Sequence, residues 1–249
     1  MRGRCILTGI ILFSLFFSAS AKRFIPEAVK KITFPSSDAV LITADLYFVN
    51  DILPYMILCH QAGYSRGEYR ETANKFCNFG YNCIAIDQRS GQAVNGVKNE
   101  TAAQAMSRNL PTSYLDAEKD ILAAIDYAYV KSGKKVFLVG SSYSASLALK
   151  IAANSQKVSA VMSFSPGEYF GNKLKLKEEI ANLKVPVFVS SSKEEASEVS
   201  ILVNVIKSNS IHQFIPTTVG KHGSSCLWKN NPGYHEYWFA ILQFMKELK

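Results

Sequence analysis

The sequence predicts an α/β domain, a mostly parallel β-sheet with helices packed on both faces. Three observations carry this. Strand-like and helix-like segments alternate along the 249 residues, as they do when helices cross over between parallel strands. Strand-like runs such as 55–59 and 135–139 are largely continuous in apolar residues, so both of their faces must be covered. The residues able to do chemistry fall just after strands, where sheets of this kind bind ligands.

In chain order, residues 31–34 and 40–49 read as two leading strands, a hairpin around Ser36-Ser-Asp38. Residues 55–59 form a third strand, 68–79 a helix stopped by Gly80, and 81–86 the next strand. The polar stretch 88–111 is the longest loop. Residues 114–131 read as a helix with Ile121, Leu122, Ile125 and Tyr129 on one face and Gly133 as its stop. Residues 135–139 are a strand that runs through Gly140-Ser-Ser-Tyr-Ser144 into a helix over 147–153. Strands over 158–163 and 187–190, a helix over 196–207 and a last strand over 213–217 follow. The final helix carries Tyr234, Tyr237, Trp238, Ile241, Leu242 and Met245 at helical spacing, a core stripe.

Residues 1–21 stand apart. Arg2 and Arg4 precede an apolar core over 6–17, and Ala19-Ser-Ala21 fits a cleavage site, the pattern of a secretory signal peptide. Residues 22–249 then form a single domain, exported to a periplasmic or extracellular space. The apolar run is shorter than the ~20 residues that span a bilayer, so an uncleaved anchor is the alternative, with Lys173 to Lys177 meeting an anionic surface. Loss of Arg2 and Arg4 lowers the formal charge of +8 by two. The remaining lysines are scattered and no nucleic-acid motif accompanies them. The mature chain keeps Cys59, Cys77, Cys83 and Cys226. Cys77 and Cys83 are the likeliest pair, but the expected state is buried free thiols. Zinc is disfavoured by the lack of Cys-x-x-Cys or paired-histidine spacing. Asn99-Glu-Thr101 would accept a glycan in a eukaryotic secretory pathway.

A serine between a buried strand and a helix makes a nucleophile elbow, with Ser142 Oγ lifted out of the turn above a helix N-terminus. Gly140 and Ser144 supply the small flanking residues that the close strand–helix approach requires. Ser141 is the poorer candidate, flanked by Val139 and Tyr143. A serine hydroxyl needs a base, and His222, in a glycine-flanked loop after the last strand, is the candidate. His212 precedes a strand and reads as a surface or structural residue, and His235 sits in a helix start. His60 belongs to the loop after the third strand and reads as structural. The acid that orients the base is Glu195 by spacing after the strand 187–190, with Glu194 close behind and Glu168 a third candidate. Oxyanion donors fall at the N–H of Tyr143 and of Ala62, in the loop His60-Gln-Ala-Gly63. Asp87-Gln-Arg89 reads as a loop-bracing ion pair.

Taken together, His60-Gln-Ala-Gly63, Asp87-Gln-Arg89, Gly140-Ser-Ser-Tyr-Ser144, the stretch 186–195 and His222-Gly223 resemble the α/β-hydrolase superfamily, and are similar to the dienelactone-hydrolase-like branch of serine esterases. The resemblance covers nearly all of residues 30–249. It implies an eight-stranded sheet and Ser142, Glu195 and His222 as catalytic residues. Gln61 and Ser144 stand where that family usually has glycine. Gln61 narrows the oxyanion loop and is assigned to substrate binding. Ser142, where dienelactone hydrolases proper use cysteine, points to ordinary ester or related acyl cleavage of a small-molecule or acylated substrate, with no cofactor. The segment 166–183 is too short for a large lid, which implies an open, shallow pocket. A non-catalytic binding protein on the same fold is the competing expectation, supported by the two missing glycines.

Overall fold

The computed structural model describes residues 25–207 and 211–248. The expected export segment, residues 1–21, lies outside them. The chain enters through an antiparallel hairpin of β1 (Val29–Pro35) and β2 (Leu41–Tyr47), with Phe34 opposite Ile42. β3 (Tyr55–Cys59) and β4 (Asn82–Ile86) follow. A small ribbon of β5 (Ala93–Val94) and β6 (Val97–Lys98) stands apart. β7 (Val136–Ser141), β8 (Val158–Phe164), β9 (Val187–Ser190) and β10 (Ile211–Phe214) complete the main sheet. Its eight strands run in the order β1-β2-β4-β3-β7-β8-β9-β10. The pairs made by β2 are antiparallel and the others are parallel.

Alternate residues of the central strands feed two cores. Ile57 of β3 and Leu138 of β7 face one, with Ile121, Ala124, Ile125 and Ala128 of α3 (Glu118–Ser132) and Leu147 and Ile151 of α4 (Tyr143–Asn154). Val199 and Leu202 of α6 (Ala196–Val203) close the far end of that face. Met56, Leu58, Phe137 and Val139 face the other core, with Phe76 of α1 (Ala73–Cys77) and Tyr237, Ile241 and Phe244 of α7 (Tyr234–Glu247). This double covering explains why the central strands read as unbroken apolar runs.

Several expectations need correction. The helix foreseen over 68–79 is a 3-10 turn, Arg66–Tyr69, followed by the short α1, because Glu68 is drawn fully into the interior. The stretch 88–111 is not one loop: it holds the β5–β6 ribbon and α2 (Glu100–Ser107). Asn99 caps α2 by accepting from the Ala102 N–H at 2.8 Å, and its amide donates to Gln88 O at 2.8 Å. At 3% exposure it cannot serve as a glycan acceptor. The last strand lies at Ile211–Phe214, so His212 is within it. In α3 the buried stripe shifts to the alanines and Leu122 is 40% exposed. The segment between β8 and β9 carries only α5 (Leu176–Glu179), which leaves no large lid there. Cys59, Cys77, Cys83 and Cys226 are buried and unbridged. Among the described residues no helix is long and apolar enough to cross a membrane.

Candidate active site

The strand order fixes where a site can form. From β3 the chain moves outward to β4, then returns to place β7 on the other side of β3. The crevice at such a switch point collects the loops that leave the carboxyl ends of both strands. Cys59 pairs with Gly140 at those ends, so the loop 60–63 and the elbow are neighbours.

Ser142 sits alone in the turn between β7 and α4, with φ 58° and ψ −125°. A non-glycine residue in such a conformation costs about 1–3 kcal/mol and persists only where its surroundings enforce it. The enforcement is visible. A Cβ on Gly140 would lie 2.4 Å from Ser144 O and 2.5 Å from Ala145 Cα. The Ser144 hydroxyl donates to Cys59 O at 2.8 Å and accepts from the Ser141 N–H at 2.9 Å. The side chain that replaces the expected glycine thus ties the elbow to the end of β3.

His222 Nε2 lies 2.8 Å from Ser142 Oγ, and its Nδ1 is hydrogen-bonded to Glu195 Oε1. Glu195 Oε2 also accepts from the Ser165 hydroxyl at 2.8 Å and the Ser192 N–H at 3.1 Å. Burial works against the Glu195 carboxylate, but these donors outweigh it and hold the group down to about 2. The Glu195 hydrogen bond raises the His222 imidazole above its ordinary value, against desolvation. The other two acids are placed elsewhere. Glu194 is exposed, and Glu168 caps α5, accepting from the N–H groups of Leu176 at 2.7 Å and Lys177 at 2.9 Å.

Tyr143 is the first residue of α4, so its N–H has no intrahelical acceptor. In the loop 60–63, the Gln61 N–H donates to Glu68 Oε2 at 2.7 Å and the Tyr64 N–H to Gln61 O at 3.2 Å. The Ala62 N–H between them has no partner among the described residues. The Gln61 carboxamide oxygen is buried without a hydrogen bond, and a Cβ on Gly223 would come within 2.3 Å of it. The Gln61 side chain therefore packs from the loop 60–63 against the loop that carries His222 and Gly223. His60 is a brace: its Nδ1 donates to Gln61 O at 2.8 Å, its Nε2 accepts from the Gln88 N–H at 2.9 Å, and burial pushes it down to about 4.

Sequence reasoning missed Glu68. Its side chain is fully buried beneath the elbow. Oε2 takes the Gln61 N–H, while Oε1 takes the hydroxyls of Ser141 at 2.7 Å and Ser224 at 2.6 Å. One carboxylate thus pins the loop 60–63, the elbow and the histidine loop. The bond to Glu68 also turns the Ser141 hydroxyl inward, away from Ser142. Burial pushes the Glu68 carboxyl upward and the three donors oppose it. Glu68→Leu strands all three donors and is expected to cost on the order of 3 kcal/mol, measured by urea unfolding. Glu68→Gln recovers most of that loss, its oxygen facing Gln61 and its amide facing the two hydroxyls. A second missed residue is Tyr169. Its hydroxyl donates to Ser165 O at 2.9 Å and faces the Ser142 hydroxyl, a contact that opposes the upward push of burial on the phenol.

The loop after β4 is braced as foreseen in kind, but with other partners. Asp87 pairs with Arg66, and Arg89 pairs with Asp120 and Asp38. Among the described residues no group of three or more His, Cys, Asp or Glu side chains could hold a metal ion. Ser142 is 7% exposed, and two clefts are lined in part by the loops that follow the strands. One of about 320 Å³ is bounded by Tyr169, Glu195, Val199 and Leu202. The other, about 520 Å³, opens from Gly63 toward Tyr114.

A family model described as the dienelactone hydrolase family matches residues 51–215. No curated protein matches the chain. Among solved structures, an esterase of Pyrococcus furiosus is similar at 16% identity and TM-score 0.64, with 88% of this chain and 90% of that one covered. A dienelactone hydrolase of Anabaena variabilis is similar at 17% identity and TM-score 0.66, with 87% and 95% covered. An acylaminoacyl peptidase of Pyrococcus horikoshii matches at 16% identity and TM-score 0.65, with 89% of this chain but 42% of that one covered. At these identities the structural likeness speaks for the fold, and the family match for the lineage.

Proposed function

The chain belongs to the dienelactone hydrolase family, and from that premise we propose that it is an exported serine hydrolase of carboxylic esters, working through Ser142, His222 and Glu195. The observation that carries the reading is the continuous hydrogen-bonded line from Ser142 Oγ through His222 to Glu195. Neutral His222 takes the Ser142 proton at Nε2 as Oγ adds to the ester carbonyl. Glu195 holds the imidazole by Nδ1 and offsets the charge it gains. The N–H groups of Ala62 and Tyr143 receive the oxyanion. His222 then returns the proton to the departing alcohol, and water, activated by the same nitrogen, releases the acid from Ser142. Export rests on the composition of residues 1–21, where a basic start, an apolar core and Ala19-Ser-Ala21 succeed one another.

A fluorophosphonate probe tests this directly. Covalent labelling is expected at Ser142 and is expected to vanish in His222→Ala. Its rate should fall as pH drops through the His222 pKa, with a midpoint above the ordinary histidine value of 6.5, because only neutral imidazole accepts the proton. Intact mass of the labelled product from an exporting host reports the first residue, expected to be Lys22. A folded protein that takes no label would reject the hydrolase reading and favour a binding protein on this fold.

A further inference from the structure

We propose, resting on the serine-hydrolase reading above, that the alcohol portion of the substrate is a neutral saccharide, held in the cleft between Gly63 and Tyr114. Gly63, the residue after Ala62, lines this cleft, which puts one wall next to the N–H proposed as an oxyanion donor. Its volume of about 520 Å³ is within the range of small-molecule sites, roughly 300–1,000 Å³.

Its chemistry narrows the occupant. One wall is the ring of Tyr114, stacked on the buried ring of Tyr143 at 4.5 Å and 15°. With one face committed to Tyr143 and 39% of the residue exposed, Tyr114 turns its other face outward as a flat platform. An aromatic face with a negative quadrupole suits the polarised C–H face of a sugar ring. Around it stand Gln92 and Thr112, which can donate and accept, and Ser90 and Ser113, whose hydroxyls donate to Tyr143 and Asp116 and so offer acceptor lone pairs. The one cation in the lining, Arg89, is fully occupied: its guanidinium bonds Asp120 and Asp38, and none of its side chain is exposed. No charge is therefore left in this lining to receive a carboxylate or phosphate, and a substrate bearing one would lose its hydration without a counterion. Met106 adds an apolar patch to the lining, but a wholly apolar chain would leave Gln92 and the hydroxyl groups unmatched. A polyhydroxylated neutral ring meets both the platform and the walls.

The reaction balances as hydrolysis. The Ser142 Oγ–acyl bond forms as the ester C–O bond breaks, and His222 delivers the serine proton to the sugar oxygen. Water then adds to the acyl carbon, restoring the Ser142 hydroxyl and releasing the carboxylic acid.

The test compares two acetyl esters on the full mature chain, an acetylated oligosaccharide and 4-nitrophenyl acetate, in wild type, Tyr114→Ala and Tyr114→Phe. Wild type is expected to turn over both. In Tyr114→Ala, the ratio of kcat/KM on the saccharide ester to that on 4-nitrophenyl acetate should fall about tenfold through KM, and Tyr114→Phe should retain the ratio. An unchanged ratio in Tyr114→Ala would overturn the assignment of the cleft, as would wild-type activity confined to 4-nitrophenyl acetate, which leaves the hydrolase reading standing. Failure on both esters together with no fluorophosphonate labelling of Ser142 would remove the hydrolase reading itself.

Discussion

Ser142→Ala is expected to lower kcat about 10⁴–10⁶-fold on any ester the protein turns over, the scale found when a serine nucleophile is removed. The fold should be untouched. The substitution deletes one hydroxyl whose partner, His222, has a half-exposed side chain. The backbone bond from the Ser142 N–H to Phe164 O at 2.8 Å remains. Alanine also shares the conformational penalty of serine at φ 58°, so thermal unfolding should shift little. Ser142→Gly separates the two roles of the residue. It should be equally inactive but more stable, since glycine adopts positive φ without strain. Turnover retained in Ser142→Ala, measured on protein free of wild-type contamination, would end the nucleophile assignment.

The largest loss of stability is expected at Arg89. Its guanidinium is completely buried against Asp120, which is equally buried, and reaches Asp38 at 2.7 Å. Arg89→Leu leaves the Asp120 carboxylate without its counter-charge, a change that typically costs about 3–5 kcal/mol. The pH dependence gives the loss a signature. Burial already pushes Asp120 upward and Arg89 opposes it. In the variant only the residue-89 N–H still bonds Asp120, and without the guanidinium burial prevails, so the folded pKa stands further above the unfolded one. Stability is then greatest below the unfolded value and is lost as pH rises through the folded one. The deficit of Arg89→Leu against wild type should therefore be small in acid and full at neutral pH, read by urea titrations across that range. Adding Asp120→Leu should return part of it. A deficit independent of pH would assign the cost to lost packing.

Much of this was legible in the sequence, for reasons that particular residues make plain. Ser142 and Glu195 each follow a strand whose apolar run is clear, and His222 follows a last strand whose bounds were misplaced by a few residues, so their placement at one edge of the sheet follows from topology. Gly133, with φ 63°, marks the end of α3 where a stop was expected. Glu68 was not legible. It lies in a polar stretch that scans as a helix, and its partners Ser141 and Ser224 are 73 and 156 residues away. Only the tertiary fold shows that a carboxylate there is buried rather than solvated. Helix α2 was missed because Asn99 reads equally as a glycan acceptor and as a cap, and burial alone separates the two. The alanine stripe of α3 was misjudged for a related reason: close approach of the helix to the sheet favours small side chains, which hydropathy undervalues.

The carboxylate of Glu68 has a further consequence for how the site comes apart. Because the loop 60–63, the elbow and the histidine loop all close onto the same two oxygen atoms, none of them can open without leaving a buried acceptor short of a donor. Fraying of one loop would remove its own donor and weaken the hold on the other two. Local opening here therefore couples the three segments that carry Ser142, His222 and the Ala62 N–H.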